Sequence, residues 1–460
     1  MAKTMVSESQ DGKIARLTKA LETALDSAGN LKQMGGGYGL ATVLPGPKAY
    51  PVGALLPEPV YLPNAGAPVA HVPDSLGPDG NTLYGHTVGA GGAMTKLWSS
   101  ADGLGTITYG ADLSTLTGPN ALLAGEIIGC VVKTWQGVFV TVVNTSGTES
   151  GGIYYSTSFS SGFTRVKTTG VSLPKMPMTV HHGKNALYSI YIVGEYSQVT
   201  NYLSQFFISI DGGATWTALQ PSMRTIVAPG INSHCHASCV DRRSGRIYLS
   251  FGDGNNRGFY YSDDLGATWT EAPDPVSMLA SASGWQPANS VTAGDKTNGY
   301  QQPTMLIPVD AGIITQPDTL MAASLQIIRR DTGSPQNEVW RHEYLHTIQY
   351  RRQAFQAFAK GPYATYNGGA EIYLQSNRNG AASGNTSAGH EMWIVGTGDN
   401  GRSWHNLATI KHPTASSLSM ADGIVGVDNL GYMYAYVGLG TTPYIAKFKR
   451  GGTDGLTWQY

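Results

Sequence analysis

Charge is scarce in this sequence. Of 460 residues only 13% are charged, and 30 basic residues nearly balance 31 acidic ones, for a formal net charge of −1. Without a long basic run the chain lacks the electrostatic footprint that nucleic-acid binding requires. Cysteine is scarcer: Cys130, Cys235 and Cys239 are too few for a disulfide framework, and an odd count leaves at least one thiol free. No run of ~18 apolar residues is present, which excludes a membrane-spanning helix. The opening MAKTMVSESQDGK has no apolar core of the kind a signal peptide needs, so synthesis in the cytoplasm without secretory export is expected.

What the chain has in quantity is glycine (59), tyrosine (25) and tryptophan (9), beside 41% hydrophobic residues. This describes an ordered, turn-rich and aromatic-rich β protein. One helix stands apart. Ile14, Leu17, Leu21, Leu25 and Ala28 fall at three-and-four spacing, with Asp11 placed to cap the start and Gly29 the end. Residues 1–33 therefore read as a short helical anchor whose apolar stripe packs on a partner subunit or on the main body. Residues 34–80 are rich in Gly and Pro and read as an extended linker. Residues 81–460 carry short apolar runs bounded by Gly, Asn, Asp and Ser, such as GVFVTVVN, ALYSIYIVG, RIYLSFGD and GYMYAYVG, and these read as strands.

An eight-residue pattern recurs in strict form along that third region. Its copies place Ser209, Asp211, Gly213, Thr215 and Trp216; Ser262, Asp264, Gly266, Thr268 and Trp269; and Thr397, Asp399, Gly401, Ser403 and Trp404 in the same order. The types suit a tight hairpin: carboxylate and hydroxyl accept backbone N–H bonds, glycine takes a positive φ, and tryptophan fills the gap to a neighbouring sheet. Degenerate copies occur at Ser100–Ile107, Ser156–Phe163 and Thr457–Trp458, with the weakest at Asp331–Gly333. The steps between copies run from 53 to 68 residues, the size of a four-stranded unit. An all-β, six- to seven-bladed β-propeller is expected, with seven favoured because TMLIPVDAGII, TLMAASLQIIRRD and EVWRHEYLHTI read as strands of an additional blade.

These motifs resemble the Asp-box, or BNR-repeat, propeller superfamily over roughly residues 85–460. The superfamily includes sialidases, other glycoside hydrolases and non-enzymatic binding proteins, so the resemblance leaves function open. Sialidases bring three arginines onto the substrate carboxylate, one from an Arg-Ile-Pro near the first blade. Here no arginine occurs between Arg16 and Arg165 and no Arg-Ile-Pro exists, which argues against that activity.

Other chemistry has specific candidates. A glycosidase needs two carboxylates facing one cleft, and Glu195, Asp241 and Asp253 are the acids to consider, although Asp253 in Gly-Asp-Gly fits a hairpin. His342-Glu343-Tyr344-Leu345-His346 is an HExxH sequence. On a helix, His342 and His346 would hold zinc and Glu343 would activate its water, with Glu371 the best-placed third ligand. On a strand those histidines stand ~13 Å apart and share no metal. His234, Cys235, His236 and Cys239 also suggest a metal site, but strict alternation sends the two histidines to one face and the two cysteines to the other.

A helical anchor, a Pro/Gly-rich connector and a low-charge propeller resemble the layout of phage tail proteins. The expected function is a non-enzymatic structural protein of a virion tail, a nozzle, hub or receptor-binding propeller, located in the virion and without cofactor. Its expected partners are other tail subunits through the helix and linker, further copies of itself as a homo-oligomer, and cell-surface glycan. The alternative is a hydrolase, either a propeller glycosidase or a zinc peptidase built on His342 and His346.

Overall fold

The computed structural model describes residues 58–60, 70–89, 94–144, 151–169, 179–182, 189–195, 202–219, 221, 234–241, 245–252 and 258–272. From 303 onward it describes the strands named below together with Asp428. All belong to the unit Tyr50–Tyr460. The anchor helix read over residues 11–28 lies outside the described residues.

Strand β1 (Glu58–Val60) is followed by seven antiparallel sheets. The first contains β2 (Ala70–Leu76), β3 (Leu83–Val88), β4 (Lys96–Ser100) and β5 (Thr108–Asp112); the second contains β6 (Glu126–Lys133), β7 (Val138–Asn144), β8 (Gly152–Ser156) and β9 (Thr164–Thr168). The third contains β10 (Thr179–His182), β11 (Ser189–Gly194), β12 (Phe206–Ser209) and β13 (Thr217–Leu219); the fourth contains β14 (His234–Val240), β15 (Ile247–Gly252), β16 (Gly258–Ser262) and β17 (Thr270–Glu271). In the fifth are β18 (Pro303–Val309), β19 (Gly312–Pro317), β20 (Ser324–Asp331) and β21 (Val339–Thr347), and in the sixth β22 (Ile372–Asn377), β23 (Glu391–Thr397) and β24 (His405–Lys411). The seventh joins β25 (Ile424–Val427), β26 (Tyr432–Val437) and β27 (Tyr444–Gly451) to β1, with β28 (Thr457–Trp458) also on β27. Within each sheet consecutive strands pair in chain order, β1 excepted, which crosses the whole chain to reach β27.

Both faces of β7, β11 and β15 are buried, which is why their apolar runs are nearly continuous. In β7, Val138, Val140 and Val142 face the first sheet and its Leu97 and Leu113, while Phe139 faces the third sheet and its Tyr191 and Phe207. The same alternation sends Ile190 and Ile192 of β11 toward Leu249 and Phe251 of the fourth sheet, and Tyr191 and Val193 toward the second. Tyr248 of β15 turns instead to Leu306 and Ile313 of the fifth. Finally Val425, Tyr434 and Ile445 of the seventh sheet pack on Leu83, Trp98 and Leu104 of the first. The period-two pattern therefore stitches the first five sheets in series, and the seventh to the first.

The 34–80 segment is not linker throughout: Glu58–Val60 and Ala70–Leu76 are strands, and His71 and Val72 are buried. Its prolines concealed them. Pro59 lies on an edge strand and Pro73 at a register shift of another edge strand, where no ladder N–H is missed.

Candidate functional site

The strict repeat at 209–216 is the turn between β12 and β13, and that at 262–269 the turn between β16 and β17. In the first, Ser209 Oγ donates to Asp211 Oδ1 (2.8 Å) and accepts from Gly213 N (2.8 Å), while Thr215 N donates to Asp211 Oδ1 (3.0 Å). Trp216 Nε1 closes the turn onto Gly213 O at 3.1 Å. The second repeats this bond for bond through Ser262, Asp264, Gly266, Thr268 and Trp269. The degenerate copy between β4 and β5 keeps the bonds of Ser100, Asp102, Leu104 and Thr106. Of the third strict copy, Thr397 ends β23, whereas Asp399, Gly401, Ser403 and Trp404 lie outside the described residues. Asp331 ends β20, so the weakest copy also follows the third strand of a four-stranded sheet.

The two strict turns within the described residues seal against the preceding sheet. A Cβ on Gly213, at φ +93°, would lie 2.2 Å from Phe139 of the second sheet, and one on Gly266, at φ +94°, 2.4 Å from Leu219 of the third. Trp216 sits edge-on to Phe139 with centroids 6.0 Å apart. Two leucines depart from the pattern, the first being Leu104, which takes the place of Gly213 and Gly266 at φ 78°. Gly103 and Gly212 hold the left-handed position before this one, at φ 68° and 75°, but the fourth sheet places Leu265 there at φ 57° with its side chain 47% exposed. Leu265→Gly is expected to raise stability by ~0.5–1 kcal/mol, the left-handed penalty less the added freedom of the unfolded chain. Urea unfolding followed by circular dichroism checks this, and a loss of stability would contradict it.

The hydrogen bonds also set the acid response. Bonds from the Thr268 hydroxyl and amide and from Ser262 hold the Asp264 carboxyl at about 2, below the ordinary 3.8. The amide and hydroxyl of Thr106 lower Asp102, and at Asp211 the raising effect of burial is outweighed by bonds from Thr215 and Ser209. Unfolding frees these carboxyls to bind protons more readily. Their contribution is therefore complete above about pH 4 and is lost as pH falls toward 2. Melting temperatures between pH 5 and 2 should fall accordingly, and Asp264→Asn should lower stability at pH 6 and shallow the drop below pH 4.

The HExxH residues His342, Glu343 and His346 lie on β21, paired with β20 through His342↔Ile328 and His346↔Leu325. The helix demanded by the zinc reading is not what this backbone forms. At ~3.3 Å per residue a strand puts the two histidines about 13 Å apart. In β14 the expectation of strict alternation is corrected. The register shifts between Cys235 and Ala237, making His236 the additional residue of a bulge. Parity reverses there, so Cys235 joins the core toward the third sheet and Cys239 the core toward the fifth, on opposite faces. The His236 ring lies over Gly252, where a Cβ would come within 1.8 Å of it. This packing, rather than a turn, requires the glycine of RIYLSFGD.

Buried carboxylates bridge strands. Glu126 takes both guanidinium nitrogens of Arg165, with Arg165 Nη1 at 3.0 Å from Oε1, and Arg165 Nη2 also donates to Tyr154 Oη at 2.6 Å. Glu195 accepts from the Tyr202 hydroxyl (3.0 Å) and Gln205 N (2.9 Å), so burial and the adjacent carboxylate raise the Tyr202 pKa. Asp428 accepts from Tyr434 Oη (2.7 Å) and Tyr432 N (2.8 Å), and Asp74 contacts His86 Nδ1 at 2.7 Å. Asp241 follows β14, and its amide donates to Arg246 O at 2.8 Å; Asp253 and Glu371 lie outside the described residues. Sequence reasoning missed the Glu126–Arg165 and Glu195–Tyr202 pairs, since 39 residues separate the first pair and no motif marks either.

Among the described residues fold and site together define a nearly all-β protein of consecutive antiparallel sheets, with sealed turns and buried carboxylate bridges. No protein-family model and no curated protein sequence matches the chain. Among solved structures it is similar to apo prolyl oligopeptidase B from Galerina marginata, with 10% identity and a TM-score of 0.49, covering 85% of this chain and 50% of that one. It is also similar to the GH74 xyloglucanase from Xanthomonas campestris (14%, TM-score 0.38, covering 83% and 56%). A PL25 ulvan lyase gives 11% identity and a TM-score of 0.44, covering 87% of this chain and 97% of that one. The chain thus spans about half the length of the first two.

Proposed function

We propose that the chain is a seven-bladed Asp-box propeller acting as a non-enzymatic scaffold, a structural subunit of a phage virion tail that contacts host-surface glycan and assembles as a homo-oligomer. The observation that carries the non-enzymatic reading is the engagement of the buried carboxylates. Glu126, Glu195, Asp428 and Asp74 each bridge chain segments through hydrogen bonds. A hydrolytic pair needs carboxyls that face substrate across a cleft, one to deliver a proton and one to activate water or attack. The seven sheets, with the seventh packed on the first, support the blade count. The virion assignment rests on the layout read from the sequence, an anchor helix and a Pro/Gly-rich segment ahead of the sheets, with the strands Glu58–Val60 and Ala70–Leu76 now excepted from that segment.

Two measurements test this reading. Antibody raised against the chain and labelled with gold should decorate the tails of purified particles, and the purified protein should release no reducing sugar from xyloglucan, ulvan or bacterial lipopolysaccharide. Absence of the chain from particles by mass spectrometry would overturn the virion assignment. Sugar release lost in Glu195→Gln would overturn the non-enzymatic one.

A further inference from the structure

The hairpin between β6 and β7 presents an exposed tryptophan on a fixed support. Trp135 is 62% exposed, the most exposed large hydrophobic side chain among the described residues. Its backbone is held from several sides. Thr134 N donates to Gly137 O at 2.8 Å and Gly137 N to Thr134 Oγ1 at 3.2 Å. The adjacent Gln136 accepts at its carbonyl from Tyr155 Oη (2.9 Å) and at its side chain from the hydroxyl of the buried Tyr191, which belongs to the third sheet. An indole kept in water on so well-braced a turn contributes nothing to the core. Exposed aromatics on a fixed backbone are what recognition surfaces use, because the turn need not order on binding and an indole has only two side-chain torsions to lose.

The surroundings are polar. On one side, Ser75 Oγ donates to Val131 O and accepts from Lys133 N, which brings the first hairpin beside this one. The Lys133 ammonium interacts electrostatically with Asp79 at the tip of that hairpin. On the other side, Gly212 of the third sheet's sealed turn packs near Gln136, placing the exposed Asp211 and Thr215 at the same end. The area decides the class of ligand. One exposed indole offers on the order of 150 Å², several-fold below the ~800 Å² per partner of a stable protein interface. It suits one sugar ring, whose C–H face stacks on the indole while its hydroxyls meet charged and hydroxyl side chains.

We propose that Trp135 is the stacking platform of a glycan-binding site at this end of the sheets, with Lys133 and Asp79 on one flank and Asp211 and Thr215 on the other. This site rests on the glycan-contacting part of the function proposed above. One stacked ring gives weak affinity per copy, and assembly into an oligomer would multiply it through avidity.

The test uses the full chain on an array of lipopolysaccharides, capsular polysaccharides and N-acetylglucosamine hexasaccharide, followed by fluorescence titration with the best probe. The wild type should bind at least one probe, Trp135→Ala should weaken it at least tenfold with an unchanged melting temperature, and Trp135→Phe should retain part of it. Undiminished binding by Trp135→Ala overturns this site and leaves glycan contact by the protein standing. No binding of any probe by the wild type overturns both.

Discussion

Trp216→Ala is expected to destabilise the protein by about 3–5 kcal/mol, the usual cost of emptying a large aromatic site in a packed core. The indole is 8% exposed, shares a cluster with Val132, Phe139, Tyr191 and Phe207, and donates to Gly213 O. Its removal therefore opens a cavity between the second and third sheets and leaves a turn carbonyl without its donor. Urea unfolding followed by far-ultraviolet circular dichroism measures the effect. Trp135→Ala supplies the contrast, since an exposed tip residue should shift stability by less than ~0.5 kcal/mol. Equal effects at the two tryptophans would refute the sealing role of the turn.

Glu126→Gln should cost a similar ~3–5 kcal/mol for a different reason. The Glu126 side chain is fully buried and that of Arg165 is 7% exposed. Glutamine keeps the shape but leaves the guanidinium buried without a counter-charge. The single amide oxygen cannot replace both carboxylate oxygens for Arg165 Nη1, Nη2 and Leu123 N, and the amide nitrogen faces donors, so the guanidinium keeps Tyr154 Oη and Ala121 O but loses charged acceptors. Replacing both partners removes the uncompensated charge. The double variant Glu126→Gln/Arg165→Met should therefore be more stable than the Glu126→Gln single variant, with a coupling of at least ~1 kcal/mol in a double-mutant cycle. Because the pair is shielded from solvent, the coupling should persist at 0.5 M salt, where an exposed pair would fade. Simple additivity of the two substitutions would show that the pair does not act as a unit.

The turns were legible because their information is local. Ser209, Asp211, Gly213, Thr215 and Trp216 lie within eight residues and bond to one another, so composition and spacing suffice to recognise them. The fifth sheet was legible too, with its strands β18 to β21 falling on the three apolar runs from 304 to 348. HExxH was open to two readings, a zinc-holding helix or the last strand of that blade, and the strand is what forms. A five-residue pattern carries no backbone preference strong enough to override pairing with β20 along nine residues.

Sequence alone sufficed for the predominance of strands among the described residues, for the course of strands such as β7, β11, β15 and β26, and for the turns at 209–216 and 262–269, since these follow from period-two patterning and short-range hydrogen bonding. Tertiary structure decided the rest. Only pairing with β27 makes a strand of Glu58–Val60, opposite Lys447, Ala446 and Ile445 nearly four hundred residues away. A bulge at His236, set by the partner strand β15, sends Cys235 and Cys239 to opposite cores. Arg165 meets Glu126 across the second sheet, and Gln136, beside Trp135, accepts from a tyrosine of the third. Contacts of this kind depend on how sheets stack, and stacking is settled by the combined burial of many side chains rather than by any one segment's pattern.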